Sequence, residues 1–162
     1  MIEDPRKRTT GEKALMTDEE TGRAVWRMSH SPYHDKHTYY DICPWSPDGT
    51  QIVFSSVHPS HLPEPRQSVA KTDKGNIFIM TLTDLSMRWL VGECHFNTHI
   101  GCFPMWTPDG KYIIYGEEGD PHAFFIVDVA TGVQRNIPGV FPRQVSHDGT
   151  RVLCQSAWRG GC

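Results

Sequence analysis

A chain of 162 residues with 38% hydrophobic content and a mean hydropathy of −0.47 is the size of one ordinary domain. Sixteen basic against nineteen acidic residues, a formal charge of −3, give no basic excess that points to nucleic acid, and no nucleic-acid partner is expected. No stretch approaches the ~18 apolar residues of a membrane span, and no apolar run follows Met1, so a cytoplasmic protein without membrane contact is expected.

The first predicted segment, residues 1–17, reads as a mobile tail, and its Arg6-Lys7-Arg8 run as a solvated charge cluster. Residues 18–29 follow, beginning Asp18-Glu19-Glu20-Thr21-Gly22 and continuing to Met28. They read as a turn and a closing strand that complete a sheet whose other strands lie elsewhere. Next comes a histidine-rich loop, His30 to Asp41, with His34, His37, Tyr39 and Tyr40.

The phrase Trp45-Ser46-Pro47-Asp48-Gly49-Thr50-Gln51-Ile52-Val53-Phe54 then sets the architecture. Asp-Gly followed by apolar residues is a strong hairpin signal, because tight turns need positive φ. The phrase returns at Trp106 to Tyr115, around Asp109-Gly110, and in weaker form at Val145 to Cys154, around Asp148-Gly149. The three aspartates are separated by 61 and 39 residues. The longer interval holds residues 58–74, which carry three prolines and no apolar period and read as a surface loop. Asn76–Gly92 aligns without gaps on Ala123–Gly139 at an offset of 47, each an apolar run, a turn and a further strand. The Asp128-x-x-Thr131-Gly132 turn is the clearer copy.

One unit is therefore four strands in about 40 residues, the signature of an all-β β-propeller rather than of a generic sandwich. The predicted boundaries are 38–92 for blade one, 103–139 for blade two and 143–162 for a partial blade three, with 18–29 closing the last blade. Two complete blades and partial ones at each end read as the N-terminal portion of a larger ring.

The loops entering the first strand of each blade should open beside a central channel. They hold His34, His37, Tyr39 and Tyr40 in the first case and His95, Asn97 and His99 in the second; the short third loop offers Arg143 and Gln144. His34 and His95 each lie 14 residues before their turn aspartate, which predicts equivalent positions on one face. Imidazole suits proton transfer and metal ligation, guanidinium captures carboxylates, and an exposed tyrosine ring stacks on a sugar. These residues are the substrate-binding candidates, for an anionic oligosaccharide or a protein. His37, His95 and His99 are weak metal candidates, since His-x-x-His and His-x-x-x-His are loose spacings on loops. The alternative remains open that the histidines bond loop backbones and that one of Tyr39 and Tyr40 packs between sheets. His58, His61, His122 and His147 read as solvent-exposed. The odd set Cys43, Cys94, Cys102, Cys154 and Cys162 lacks Cys-x-x-Cys spacing, which excludes a structural zinc site and predicts mainly buried thiols.

The phrase Trp-Ser/Thr-Pro-Asp-Gly-x-x-Ile-x-Phe/Tyr resembles the TolB-type, WD40-like propeller repeat. Thr21-Gly22-Arg23-Ala24-Val25-Trp26-Arg27-Met28, followed by His37-Thr38-Tyr39-Tyr40, resembles the start of the bacterial oligogalacturonate lyases. That resemblance implies a seven-bladed polysaccharide lyase of pectin degradation. Such an enzyme cleaves short uronate oligomers by β-elimination with a divalent metal, typically manganese. It also implies that the metal ligands and catalytic residues belong to later blades, so no catalytic residue maps onto this sequence. A non-catalytic TolB-like propeller that binds protein or glycan is the alternative reading.

Overall fold

The three Asp-Gly phrases fold into three equivalent turns. In each, a hydroxyl at the second position donates to the aspartate Oδ1 at 2.6 Å: Ser46 to Asp48, Thr107 to Asp109 and Ser146 to Asp148. The same carboxylate accepts the backbone N–H two residues later. The glycines that follow have φ of 70° to 72°, which only glycine adopts without strain. These bonds favour the ionised carboxylates and hold all three below the ordinary aspartate value, Asp148 at about 2.

The computed structural model describes residues 4–11, 13–29, 32–63, 70–117 and 123–156. Among the described residues the fold is all-β, with four antiparallel sheets in a row that do not close into a ring. A two-stranded sheet comes first, β1 (Ala14–Thr17) with β2 (Ala24–Arg27). The first four-stranded sheet has the order β3 (His34–Lys36), β4 (Gln51–Val57), β5 (Lys71–Thr81), β6 (Met87–Asn97). The second has the order β7 (Met105–Trp106), β8 (Tyr112–Glu117), β9 (Ala123–Asp128), β10 (Gln134–Pro138). A last two-stranded sheet joins β11 (Val140–Val145) to β12 (Val152–Ser156).

Both four-stranded sheets are covered on both faces, which explains their continuous apolar runs. Successive residues of a strand face opposite ways, so a sheet buried twice has no polar face to alternate with. In β5, Ile77 and Ile79 pack toward the second sheet with Ile113 and Val127, while Phe78 and Met80 pack on the opposite face with Phe54 and Met87. In the second sheet Ile114 and Phe124 turn the other way, toward Phe141 and Val152. Burying one such side chain is worth about 1.5–3 kcal/mol.

The turns also contact each other. A Cβ placed on Gly110 would meet Pro47 Cδ at 3.6 Å, and one on Gly149 would meet Pro108 Cδ at 3.5 Å. The proline of each phrase thus rests on the glycine of the next. Trp106 Nε1 adds a bond of 2.9 Å to the carbonyl of Pro44, again from one sheet to its neighbour.

Several boundaries differ from the sequence reading. The segment read as a tail is tied down: β1 begins at Ala14, Gly11 N donates to Leu85 O, Met87 N donates to Thr9 O, and Arg8 is ion-paired to Asp35. The first sheet begins at His34 rather than 38. Its inner strand leaves the sheet after Lys36 and rejoins it where Trp45 bridges Ile52. β6 runs to Asn97 rather than 92, and its extension pairs with the polar residues Lys71 and Thr72, which were read as loop. Register shifts around Gly75 let a sequence without apolar alternation continue as strand. His58 and His61 are half-buried rather than exposed, with His58 edge-on to Tyr33. Cys94 and Cys102 are buried thiols as expected, whereas Cys43 is exposed. His30, His122 and Cys162 lie outside the described residues.

Candidate functional site

Asn97 closes the turn that follows β6. Its Oδ1 accepts the backbone N–H of His99 at 2.9 Å and of Ile100 at 2.8 Å, and Gly101 completes the turn at φ 65°. Its side chain is buried and committed to this turn, which makes Asn97 a positioning residue. The turn presents His99 at the surface, edge-on to Tyr39 with ring centroids 5.3 Å apart.

Tyr39 is the hub of an aromatic cluster. Its ring lies 4.1 Å from that of Tyr40 and 6.2 Å from that of Phe103, which in turn lies 5.2 Å from Phe141. Tyr40 is 81% exposed. Hydrogen bonding to Tyr40 raises the Tyr39 phenol above its ordinary value; Asp41 adds to this and Arg143 opposes it. Phe103 itself has φ 57°, uncommon for a bulky residue, and this conformation places its ring under Arg143.

Arg143 rises from β11 on the same side. Its guanidinium sits 5.1 Å above the Phe141 ring and 5.9 Å from that of Phe103, and Nε donates to Gln155 Oε1 at 2.9 Å. The ring face and the amide fix one edge of the guanidinium and leave the residue exposed. Arg143 and Gln144 line a groove of about 540 Å³ with Asp41, Trp45, Met105 and His147. An oriented cation on the same aromatic cluster as an exposed tyrosine is a pairing that suits a carboxylated sugar.

The structure therefore brings together Tyr39, Tyr40, His99 and Arg143, with Gln144 beside them. It places the other candidates elsewhere. His34 and His95 stand on β3 and β6, the two opposite edges of one sheet, and the equal offset of 14 does not place them on equivalent strands. The reason is the length of β6, which carries His95 while still within the sheet, whereas His34 already belongs to its inner edge. His95 Nδ1 lies 3.0 Å from Asp73 Oδ1, and its Nε2 is buried. His37 is exposed and lines a separate cavity of about 490 Å³ with Trp26, Trp45, Phe54 and Lys13. For a metal, the three candidates His37, His95 and His99 do not converge. Among the described residues no three His, Cys, Asp or Glu side chains do so, and the donor set does not fit a resident cation.

Sequence reasoning missed Phe103 and Phe141, the platform under Arg143, and it missed the Asp73–His95 pair. A local signal existed for the first, since Phe103 sits between Cys102 and Pro104 in a segment without apolar alternation. The second joins residues 22 positions apart and has no local signature.

No family model and no curated protein matches this sequence. Solved structures do. An oligogalacturonate lyase in complex with manganese is similar at 17% identity with a TM-score of 0.65. An oligogalacturonate lyase from Vibrio parahaemolyticus is similar at 13% identity, also with a TM-score of 0.65. Each alignment covers 88% of this chain and 35% of the other, so the chain spans about a third of the length of these lyases. Over that span the four sheets in a row are the fold of the corresponding part of an oligogalacturonate lyase.

Proposed function

We propose that this chain is a segment of a β-propeller of the oligogalacturonate-lyase kind, and that the surface at Tyr39, Tyr40, His99 and Arg143 binds a short uronate oligosaccharide. The observation that carries the reading is Arg143, held over Phe141, bonded to Gln155 and lining the groove, with the Phe103 ring between it and the Tyr39–Tyr40 pair. A uronate offers a carboxylate to the guanidinium and an apolar ring face to the tyrosine. His99 stands at the edge of the same patch as a further hydrogen-bonding group.

In eliminative cleavage the proton beside the carboxylate becomes acidic once that carboxylate is neutralised, and Arg143 supplies a positive charge for this purpose. The described residues offer a cation no three-point cradle, so the role assigned to them is binding and orientation of the anion. The test is calorimetric titration of the protein with trigalacturonate and with a neutral galactose trimer. The uronate should bind and the neutral sugar should not. Arg143→Ala should weaken binding ten-fold or more, the loss of one charge-assisted contact of about 1.5–3 kcal/mol. Equal affinity of the variant and the wild type would sink the reading.

A further inference from the structure

Cys94 lies on β6, and Cys102 follows the turn that Asn97 closes, so each stem of that turn carries one sulfur. The backbone brings the two together. Gly75 on β5 is the cross-strand partner of Cys94, and the side chains of such a pair leave the sheet on one face with Cβ atoms about 4.5–5.5 Å apart. A Cβ placed on Gly75 would stand 2.8 Å from Cys102 Sγ. The Cys102 sulfur therefore fills the space that the glycine leaves beside the Cys94 side chain. The Cys94 thiol donates a hydrogen bond to Cys102, whose own thiol lies 3.8 Å from the carbonyl of Asn76. Both sulfurs belong to one apolar cluster with Phe96 and Tyr115, and the two residues are 1% and 0% exposed.

The pair stands at the root of the surface formed by Tyr39, His99 and Arg143. His99 lies within the segment that the two sulfurs bracket. Phe103, the neighbour of Cys102, carries the ring under Arg143 at a φ of 57°. Cys102 N is itself tied to Ser55 Oγ at 2.9 Å. A shift of Cys102 is passed directly to Phe103.

We propose that Cys94 and Cys102 form a peroxide-sensitive pair whose closure to a disulfide shifts the segment from His99 to Phe103 and weakens anion binding at Arg143. The binding half of this proposal rests on the uronate reading of Arg143. The bond to Cys102 and burial hold the Cys94 thiol well above its ordinary value, so Cys102 reacts first. Its sulfur attacks one oxygen of the peroxide, the O–O bond breaks, water leaves and a sulfenic acid forms. The Cys94 sulfur then attacks the Cys102 sulfur, the S–O bond breaks, a second water leaves and the S–S bond forms. Two thiols are oxidised, one peroxide is reduced, and both thiol protons end in water. Peroxide is little larger than water, whereas a bulky disulfide oxidant does not reach sulfurs this enclosed. A covalent S–S bond is shorter than a hydrogen bond between thiols, so closure draws Cys102 toward β6 and the Phe103 ring away from the guanidinium.

Peptide mapping of the 162-residue protein tests the pair. Trypsin cleaves after Arg88 and Lys111, which puts both sulfurs on the peptide 89–111, apart from the other three cysteines. Alkylated with iodoacetamide after unfolding, this peptide should carry two labels from untreated protein and none from protein first exposed to hydrogen peroxide. Dithiothreitol after the peroxide should restore both. Two labels surviving peroxide, or a loss that dithiothreitol does not reverse, overturns the proposal. Amide NMR should show shifts at Gly101, Cys102 and Phe103 on oxidation that dithiothreitol reverses; their absence overturns the coupling to the turn, whatever the sugar does. Calorimetric titration with trigalacturonate should give several-fold weaker binding to the oxidised protein. Equal binding to both forms overturns the regulation. A reduced protein that binds no trigalacturonate overturns the uronate reading and with it the regulation, while the labels and amide shifts still decide on the pair.

Discussion

The Arg8 guanidinium holds the Asp35 carboxylate with two nitrogens, Nη1 to Oδ1 at 2.9 Å and Nη2 to Oδ2 at 2.8 Å, across 27 positions of sequence. Asp35 is the middle residue of β3, and Arg8 also donates to Ser56 on β4 at 2.7 Å and lies 4.2 Å over the Tyr33 ring. The side chains are 11% and 9% exposed. Removing one partner of such a pair leaves a buried charge, at a cost of about 3–5 kcal/mol. Arg8→Ala should therefore lower the melting temperature by roughly 10 °C in a protein of this size. Arg8→Lys should recover only part of the loss, because an ammonium cannot grip both carboxylate oxygens. Calorimetric melts of the three proteins decide it.

Acid should loosen the Asp-Gly turns in a defined window. The carboxylates of Asp48, Asp109 and Asp148 are depressed from 3.8, first by the hydroxyl of Ser46, Thr107 or Ser146, then by the backbone N–H two residues on. Native pKa values below the unfolded ones mean stabilisation that is whole above pH 3.8 and is lost as pH falls toward about 2, where Asp148 titrates. Denaturant midpoints measured in steps across this range should decline, and Asp148→Asn should flatten its share of the decline.

Gly101→Ala should cost about 2–4 kcal/mol. Its φ is 65°, and an added Cβ would stand 2.6 Å from Ser55 Oγ, the atom that accepts the Cys102 N–H. Gly22→Ala separates the two causes. Gly22 has φ 67° with nothing within 4 Å, so that substitution should carry only the backbone cost of roughly 1 kcal/mol. Urea unfolding of both variants gives the difference.

The histidines should divide by position. His99→Ala should weaken trigalacturonate binding several-fold, because His99 edges the Tyr39–Arg143 surface. His34→Ala and His95→Ala, on opposite edges of the first sheet, should leave that affinity unchanged in the same titration. A His95→Ala variant that binds as weakly as His99→Ala would place the site elsewhere.

The strands were legible where a short local pattern fully determines them. Asp48-Gly49 and Asp109-Gly110 announce their hairpins because the turn chemistry lies within five residues, and Ile77–Met80 announces a strand through unbroken apolarity. The polar strand Lys71–Lys74 was illegible, because its pairing depends on the far extension of β6. Arg143 was legible as a candidate from the short third loop, although it lies within β11 rather than on a loop; its Phe103 and Phe141 platform was not legible, since those rings meet only after two sheets pack. The His34 and His95 pairing failed because equal sequence offsets do not imply equal strand lengths.

The contact between neighbouring turns has a consequence for how such a chain can lengthen. Pro47 rests on Gly110, and Pro108 on Gly149, so each joint takes its two halves from different copies of one phrase. A gene duplication that adds a copy therefore supplies both a new socket and a new peg, and the joint forms without any further mutation. Where His147 replaces the proline, the peg has changed shape, and a copy inserted after it would need a different fit.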